Sequence, residues 1–262
     1  MISLDELKAS ISRKTILISI MFANNVVGTI QPVKEIGQIA KERNILFHTD
    51  AVQAVGSVPI DVKEYNIDLL SLSGHKIYAP KGIGALFIRN GTHIEPLIHG
   101  GSQESGMRSG TENVAGIVGL GKAIEIATKN IHHNNKKIKF LRDRFVNEVL
   151  NKIPDTRLNG HPTERLPGYA NISFKYVKGK ILSSILNDKG IYVSTNSACS
   201  CASSYASYVL QAMRLPEEII FSSIRFTFGD KNTENDIDIV VNTLSETVDK
   251  IRKGNFARKI YA

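Results

Sequence analysis

The strongest constraint in this chain is the order in which its apolar residues change period over the first 90 positions. Residues 15–22 (TILISIMF) form a continuous apolar run of the buried-strand type. Residues 32–44 (PVKEIGQIAKERN) follow, with Pro32 at a helix's first turn and apolar residues at 33, 36, 39 and 40, which is helical spacing. Strand character then returns in ILFHTD (45–50), IDLLSLS (67–73) and GIGALFIR (82–89). A strand, a helix and further apolar strands in that order imply an α/β sheet whose strands are mostly parallel. Ahead of them, Ser3-Leu4-Asp5-Glu6 fits a capping box opening a short helix, LDELKASIS.

The character changes after about residue 115. VAGIVGLGKAIEIATKN and IHHNNKKIKFLRDRFVNEVLNKI read as consecutive helices, the second long and amphipathic. NISFKYV (171–177), GIYVSTNSAC (190–199) and SSIRFTFG (222–229) read as strands of a separate sheet, and residues 232–253 as a closing helix. The expected organisation is a large α/β domain over 1–125 and a smaller α+β domain over 126–262. No repeat or low-complexity linker separates them.

Composition excludes several classes. The 262 residues hold 42% hydrophobic and 22% charged side chains, near the globular average, so the chain is neither disordered nor fibrous. No apolar run reaches the ~18 residues of a membrane span, and the acidic start MISLDELKAS carries no secretory signal. Two cysteines, Cys199 and Cys201, are too few for a disulfide framework or a four-thiolate zinc site, which fits a reduced, cytoplasmic protein with no metal. The net charge of +8 is mostly scattered. Its one dense patch, Lys136-Lys137-Ile138-Lys139, lies in a helical stretch without interleaved aromatics, so no direct nucleic-acid binding is expected.

Chemistry concentrates at the polar ends of successive strands. Asn24-Asn25 follows the first, His48-Thr49-Asp50 ends the second and Ser71-Leu72-Ser73-Gly74-His75-Lys76 ends the third. In parallel α/β sheets ligands bind beyond the carboxyl ends of the strands. A lysine that forms a Schiff base must be kept near neutral, away from bulk water and close to cations or dipoles. Ser73 and His75 can donate to a phosphate, and a carboxylate such as Asp50 can keep a pyridinium nitrogen protonated so that the ring acts as an electron sink.

These residues resemble a known family. Ala23-Asn24-Asn25-x-x-Gly28, His48-x-Asp50-Ala51-x-Gln53, Ser71-x-Ser73-Gly74-His75-Lys76, the stretch from Gly100 to Thr111 (GGSQESGMRSGT) and Ser197-Ala198-Cys199-Ser200 are similar to cysteine desulfurases of the NifS/IscS kind. Those enzymes are class V aminotransferases, within the fold-type-I pyridoxal-phosphate group. The resemblance runs from about residue 2 to residue 245.

The resemblance implies a role for each matching residue. Lys76 matches the Schiff-base lysine and general base, Asp50 the partner of the pyridinium nitrogen, and Gln53 the donor to the ring hydroxyl. Ser73 and His75 match phosphate ligands, and His75 is also placed to help move protons. Asn25 matches a residue near the ring oxygen and the substrate carboxylate. Thr111 matches a residue that reaches the phosphate of the partner subunit, which implies a homodimer. Arg225 matches the substrate-carboxylate arginine, a task its bidentate fork suits. Cys199 matches the nucleophile that takes sulfur from L-cysteine as a persulfide, leaving L-alanine. Cys201 reads as a bystander, a resolving thiol or a second sulfur carrier. The sulfur then passes to an acceptor protein of the scaffold or tRNA-thiolation type, for iron–sulfur clusters, thio-cofactors or thiolated tRNA. The alternatives are a selenocysteine lyase on the same scaffold, and an inactive form serving as a dimerising or partner-binding module.

Some positions depart from the family pattern. Family chains are longer, and the match begins about one third of the way along them. No Gly-Ala-Thr-Glu-type phosphate loop is present, Thr111-Glu112 belonging to another motif, and the ring-stacking histidine is also missing. The expectation is a truncated form, or one completed by a second chain. Val26 replaces an acidic residue, Asn196 a glycine, and Lys178 and Lys180 lie where acids are more usual.

Overall fold

The computed structural model describes residues 1–129, 131–195 and 206–260. These fall into two compact units. One comprises Met1–Ala23 and Gln31–Ile131, the other Asn24–Ile30 and His132–Ala262. The boundary expected at 125/126 lies inside a helix, and a seven-residue segment from the first half of the sequence belongs to the second unit.

The first unit is built on a four-stranded sheet, β1 (Leu17–Ser19), β2 (Leu46–Asp50), β3 (Leu69–Ser73) and β4 (Gly84–Ile88), in that spatial order. The first three strands are parallel and β4 runs antiparallel to β3. Side chains alternate across a strand, and in β2 Phe47 and Thr49 are fully buried while Leu46 and Asp50 are exposed. The buried face receives α2 (Val33–Glu42) through Ile36, Ile39 and Ala40. Gly37 permits the close approach, since a Cβ there would run into the Tyr65 carbonyl. Helix α1 (Leu4–Ser10) is capped by Ser3, whose Oγ accepts the Glu6 amide at 3.2 Å.

Residues 15–22 do not form the uniformly buried strand that their composition suggested. β1 has three residues, with Ile18 buried between exposed Ile16 and Leu17 and exposed Ser19. A continuous apolar run implies cover on both faces, but here the face carrying Leu17, Leu46 and Leu86 is open to solvent. At the amino end of β3, Arg89 pairs with Asp68 at 3.2 Å and donates to the carbonyls of Val62 and Ile67, closing the turn before the strand. Helix α3 (Val114–Lys129) completes the unit, with Gly119 against Pro80 and Leu120 buried.

The second unit has an antiparallel sheet, β5 (Thr156–Asn159), β6 (Tyr169–Phe174) and β7 (Ser223–Thr227). One face is apolar. Ile172, Phe174 and Phe226 pack on Phe145 of α4 (Ile131–Lys152), Leu182 of α5 (Gly179–Asp188) and Leu244 of α8 (Glu234–Ile260). Arg144 ties α4 to α8 through Glu234 and Asp238. Two short helices, α6 (Tyr208–Ala212) and α7 (Glu217–Phe221), lie along the chain before β7.

Residues 190–195 are not a strand. They make one antiparallel bridge, Ser194 to Arg225, held by two backbone hydrogen bonds of 3.2 and 2.7 Å. Gly190, at φ +77°, turns the chain sharply just before it. No helix of the described residues is long and apolar enough to cross a membrane.

Candidate active site

In the first unit, register brings the expected residues to one end of the sheet. Asp50 closes β2 and is the Cα partner of Ser71 on β3. Its Oδ1 accepts the Val52 amide at 2.9 Å, which fixes the plane of an otherwise exposed carboxylate. Gln53 lies half-buried in the turn that follows.

Directly after β3, Gly74–Ile77 forms a 3-10 turn carrying His75 and Lys76. Buried Gly74 makes this turn possible, because a Cβ would lie 2.9 Å from Ile83 Cγ2 and 3.0 Å from Ala79 Cβ. Ser73 Oγ lies 2.7 Å from His75 Nδ1, so the two expected anion ligands are already coupled. Thr111 is exposed just before α3.

Lys76 departs from expectation. A lysine of its proposed role should be withheld from water, yet both His75 and Lys76 are exposed.

His48 was visible in the sequence as part of a motif, without a role. In the structure its Nδ1 lies 2.7 Å from Ser19 Oγ and its Nε2 2.9 Å from Ser71 Oγ. The ring therefore straps β1, β2 and β3 together on the face that carries Asp50. Partial burial lowers its pKa below the ordinary 6.5, with nearby Asp50 opposing the shift.

In the second unit, Asn25 and Arg225 meet. Arg225 Nη1 donates to the Asn25 carbonyl at 2.9 Å. Arg225 Nε is buried without a hydrogen-bond partner among the described residues. Asn24 Oδ1 accepts the Val26 and Val27 amides at 2.8 and 3.0 Å, closing a tight turn. Gly28, at φ +74°, lies so close to Tyr169 that a Cβ would stand 2.5 Å from the tyrosine Cβ. Val26, which departs from the acidic pattern of the resemblance, is buried with Val209, Leu210 and Ile220.

Cys199, Cys201 and Asn196 lie outside the described residues. Sequence reasoning gave no role to Asn159 and Asn171, both buried on the polar face of the second sheet. The signal was present in NISF, where polar and apolar residues alternate. Among the described residues no group of three potential metal ligands occurs.

Known proteins match both the sequence and the backbone. A family model described as aminotransferase class-V matches residues 1–240. A cysteine desulfurase IscS of Methanosarcina thermophila is 58% identical over 252 residues, which cover 96% of this chain and 62% of the relative. One from Clostridium botulinum (strain Hall) is 51% identical over 254 residues, covering 96% and 64%. Among solved structures, a NifS-like protein superposes with TM-score 0.86 at 38% identity, covering 95% of this chain and 65% of its own. A structure described as SspA in complex with cysteine gives TM-score 0.71 at 35% identity, covering 88% and 64%. The chain thus spans somewhat under two thirds of the length of these curated relatives. The motif residues, the mostly parallel sheet with its smaller α+β companion, and a match over nearly the whole sequence agree: the chain belongs to the class-V aminotransferase family, with the fold of the NifS-like, fold-type-I enzymes.

Proposed function

We propose that the protein acts as a pyridoxal-phosphate-dependent cysteine desulfurase. L-Cysteine and the Cys199 thiol are converted to L-alanine and a Cys199 persulfide. The observation that carries this reading is the convergence of Asp50, Ser73, His75 and Lys76 at the carboxyl ends of the adjacent strands β2 and β3. A carboxylate, a coupled hydroxyl–imidazole pair and an exposed amine are the donor set that a pyridine nitrogen, a phosphate and an aldehyde require, so the residues fit the cofactor. The names of the relatives support the same reaction.

When bound, pyridoxal phosphate supplies an electron sink for bond cleavage at the substrate. Lys76 would hold it and take the proton from the substrate α-carbon. Asp50, oriented by the Val52 amide, would keep a proton on the ring nitrogen. Ser73 and His75 would bind the phosphate, His75 would also relay protons, and Gln53 would donate to the ring hydroxyl. Arg225 and Asn25 would receive the substrate carboxylate.

Thr111 would reach the phosphate of a second subunit, making a homodimer. Val114 and Val118, four residues apart on α3, are both exposed apolar side chains and would serve that contact. The protein would work in the cytoplasm and hand its sulfur to an acceptor protein of the scaffold or tRNA-thiolation type. A second reading, a dimerising module without turnover, draws on the exposure of Lys76 and of the open sheet face.

The visible spectrum of the purified chain with added pyridoxal phosphate separates the two. A yellow absorbance band that disappears in Lys76→Ala supports the enzyme, and absence of any band at saturating cofactor overturns it. Alanine and sulfide assays on Cys199→Ser then test the persulfide. Loss of both activities is expected.

A further inference from the structure

The second sheet has two unlike faces. One is apolar, with Ala170, Ile172, Phe174, Ile224 and Phe226 all buried. The other carries a row of polar residues in register across all three strands, Asn159 opposite Asn171 and Asn171 opposite Arg225. Both asparagines are 1% exposed. Burying an amide costs free energy unless it is hydrogen-bonded, and an apolar row would serve packing as well. The polar row therefore needs a reason beyond holding the sheet together.

The reason lies in the segment Asn24–Ile30. Its far end pairs with the chain at Arg165 through Thr29, but the turn at Asn25 and Val26 is irregular backbone whose carbonyls receive no backbone donor among the described residues and must find donors elsewhere. Asn171 Nδ2 donates to the Val26 carbonyl at 3.2 Å, and Arg225 Nη1 to the Asn25 carbonyl at 2.9 Å. Asn159 sets the first of these. Its Nδ2 donates to Asn171 Oδ1 at 2.8 Å, which fixes which end of the Asn171 amide faces Val26. Asn159 Nδ2 also reaches Ser173 Oγ at 2.7 Å, holding its own plane.

We infer that Asn171, oriented by Asn159, is a positioning residue that seats the Asn24–Ile30 segment and thereby fixes Asn25 and Arg225 for a substrate carboxylate. The link to the carboxylate rests on the reading of Asn25 and Arg225 above, whereas the seating of the segment does not. The side-chain bonds of Asn171 run to Asn159 and to the Val26 carbonyl. It acts through the Val26 carbonyl, one peptide from Asn25.

The test uses Asn171→Ala in the full chain, with amide hydrogen exchange followed by peptide as the first readout. Exchange across 24–30 is expected to rise about tenfold while β5–β7 change far less. The second readout is the KM for L-cysteine, or its dissociation constant by calorimetry where turnover is absent. It is expected to rise about tenfold with kcat changed less than about threefold. Should Asn171→Ala fail to fold, Asn171→Ser keeps a hydroxyl in the row, and Asn159→Ala releases the Asn171 amide without touching it. Either should reproduce the exchange effect. Unchanged exchange at 24–30 in a folded variant, or a rise spread evenly over β5–β7, overturns the inference. A rise in exchange without any change in L-cysteine affinity overturns its extension to the carboxylate. If Arg225→Ala also leaves that affinity unchanged, the carboxylate reading itself fails and the seating stands.

Discussion

Arg225 and Asn25 stand 200 positions apart in sequence, yet the arginine Nη1 donates to the Asn25 carbonyl at 2.9 Å. The contact carries the Asn24–Ile30 segment into the second unit, although the sequence on both sides of it belongs to the first. Around it, Arg165 gathers the irregular loop between β5 and β6, donating to the carbonyls of Asn159, His161 and Tyr169. Burial, with Arg142 nearby, pushes the Arg165 guanidinium down to about 10. Thr29 pairs with that loop through a bridge to Arg165.

Gly28→Ala tests the seat from its tightest point. The new methyl would meet Tyr169 at 2.5 Å, in a left-handed conformation that disfavours any side chain. Overpacking and strain together are expected to cost about 2–4 kcal/mol, read as a lower urea midpoint at unchanged slope. A loss under 0.5 kcal/mol, roughly the scale of ordinary surface substitutions, would show that the segment shifts freely.

Gly74→Ala addresses the turn that presents His75 and Lys76. Its Cβ would press on Ile83 and Ala79, and on the Ile83 carbonyl at 3.1 Å. The expected result is a loss of about 1–3 kcal/mol in stability. Weaker uptake of pyridoxal phosphate should accompany it, followed by the visible band. Full cofactor affinity in the variant would mean that the turn geometry does not matter for binding.

His48 gives stability a pH dependence. Burial lowers its folded pKa below 6.5, so the unfolded chain takes up that proton at a higher pH than the folded one. Its contribution is fully present above 6.5 and is lost as the pH falls through the lowered value. Urea midpoints between about pH 8 and about pH 5 should fall less steeply in His48→Gln than in the parent chain. Carboxylates titrate in both proteins, so the difference between the two curves is the quantity to read. Parallel curves would mean that His48 titrates alike in both states.

Self-association is tested on α3. Val118 is 66% exposed and Val114 equally so. If the proposed homodimer forms through α3, Val118→Asp combined with Val114→Asp places charge on that helix and should shift sedimentation from dimer to monomer without lowering the thermal midpoint of the monomer, whereas a parent chain that sediments as a monomer overturns the proposed dimer. A dimer that survives both changes uses another surface.

Much of the architecture was legible because its elements are local. The Ser3 cap, the helical spacing after Pro32 and the strand at ILFHTD depend on near neighbours, and each appears where the pattern put it. Residues 190–195 misled because β-rich composition does not supply a partner strand. Among the described residues pairing there is confined to Ser194 and Arg225. Residues 15–22 misled because an apolar run reports what a strand could bury, not what covers it.

The sequence by itself determined the chemistry on offer: a lysine, a carboxylate and a serine–histidine pair at strand ends, within motifs of a recognisable family. Register decided which of these meet, since pairing Asp50 with Ser71 is a property of two strands and not of either one. Tertiary packing alone decided that Arg225 donates to the Asn25 carbonyl and that Asn171, bonded by Asn159, donates to the Val26 carbonyl. Those contacts join residues far apart in the chain through buried carbonyls, and no local pattern records which carbonyl will need a donor.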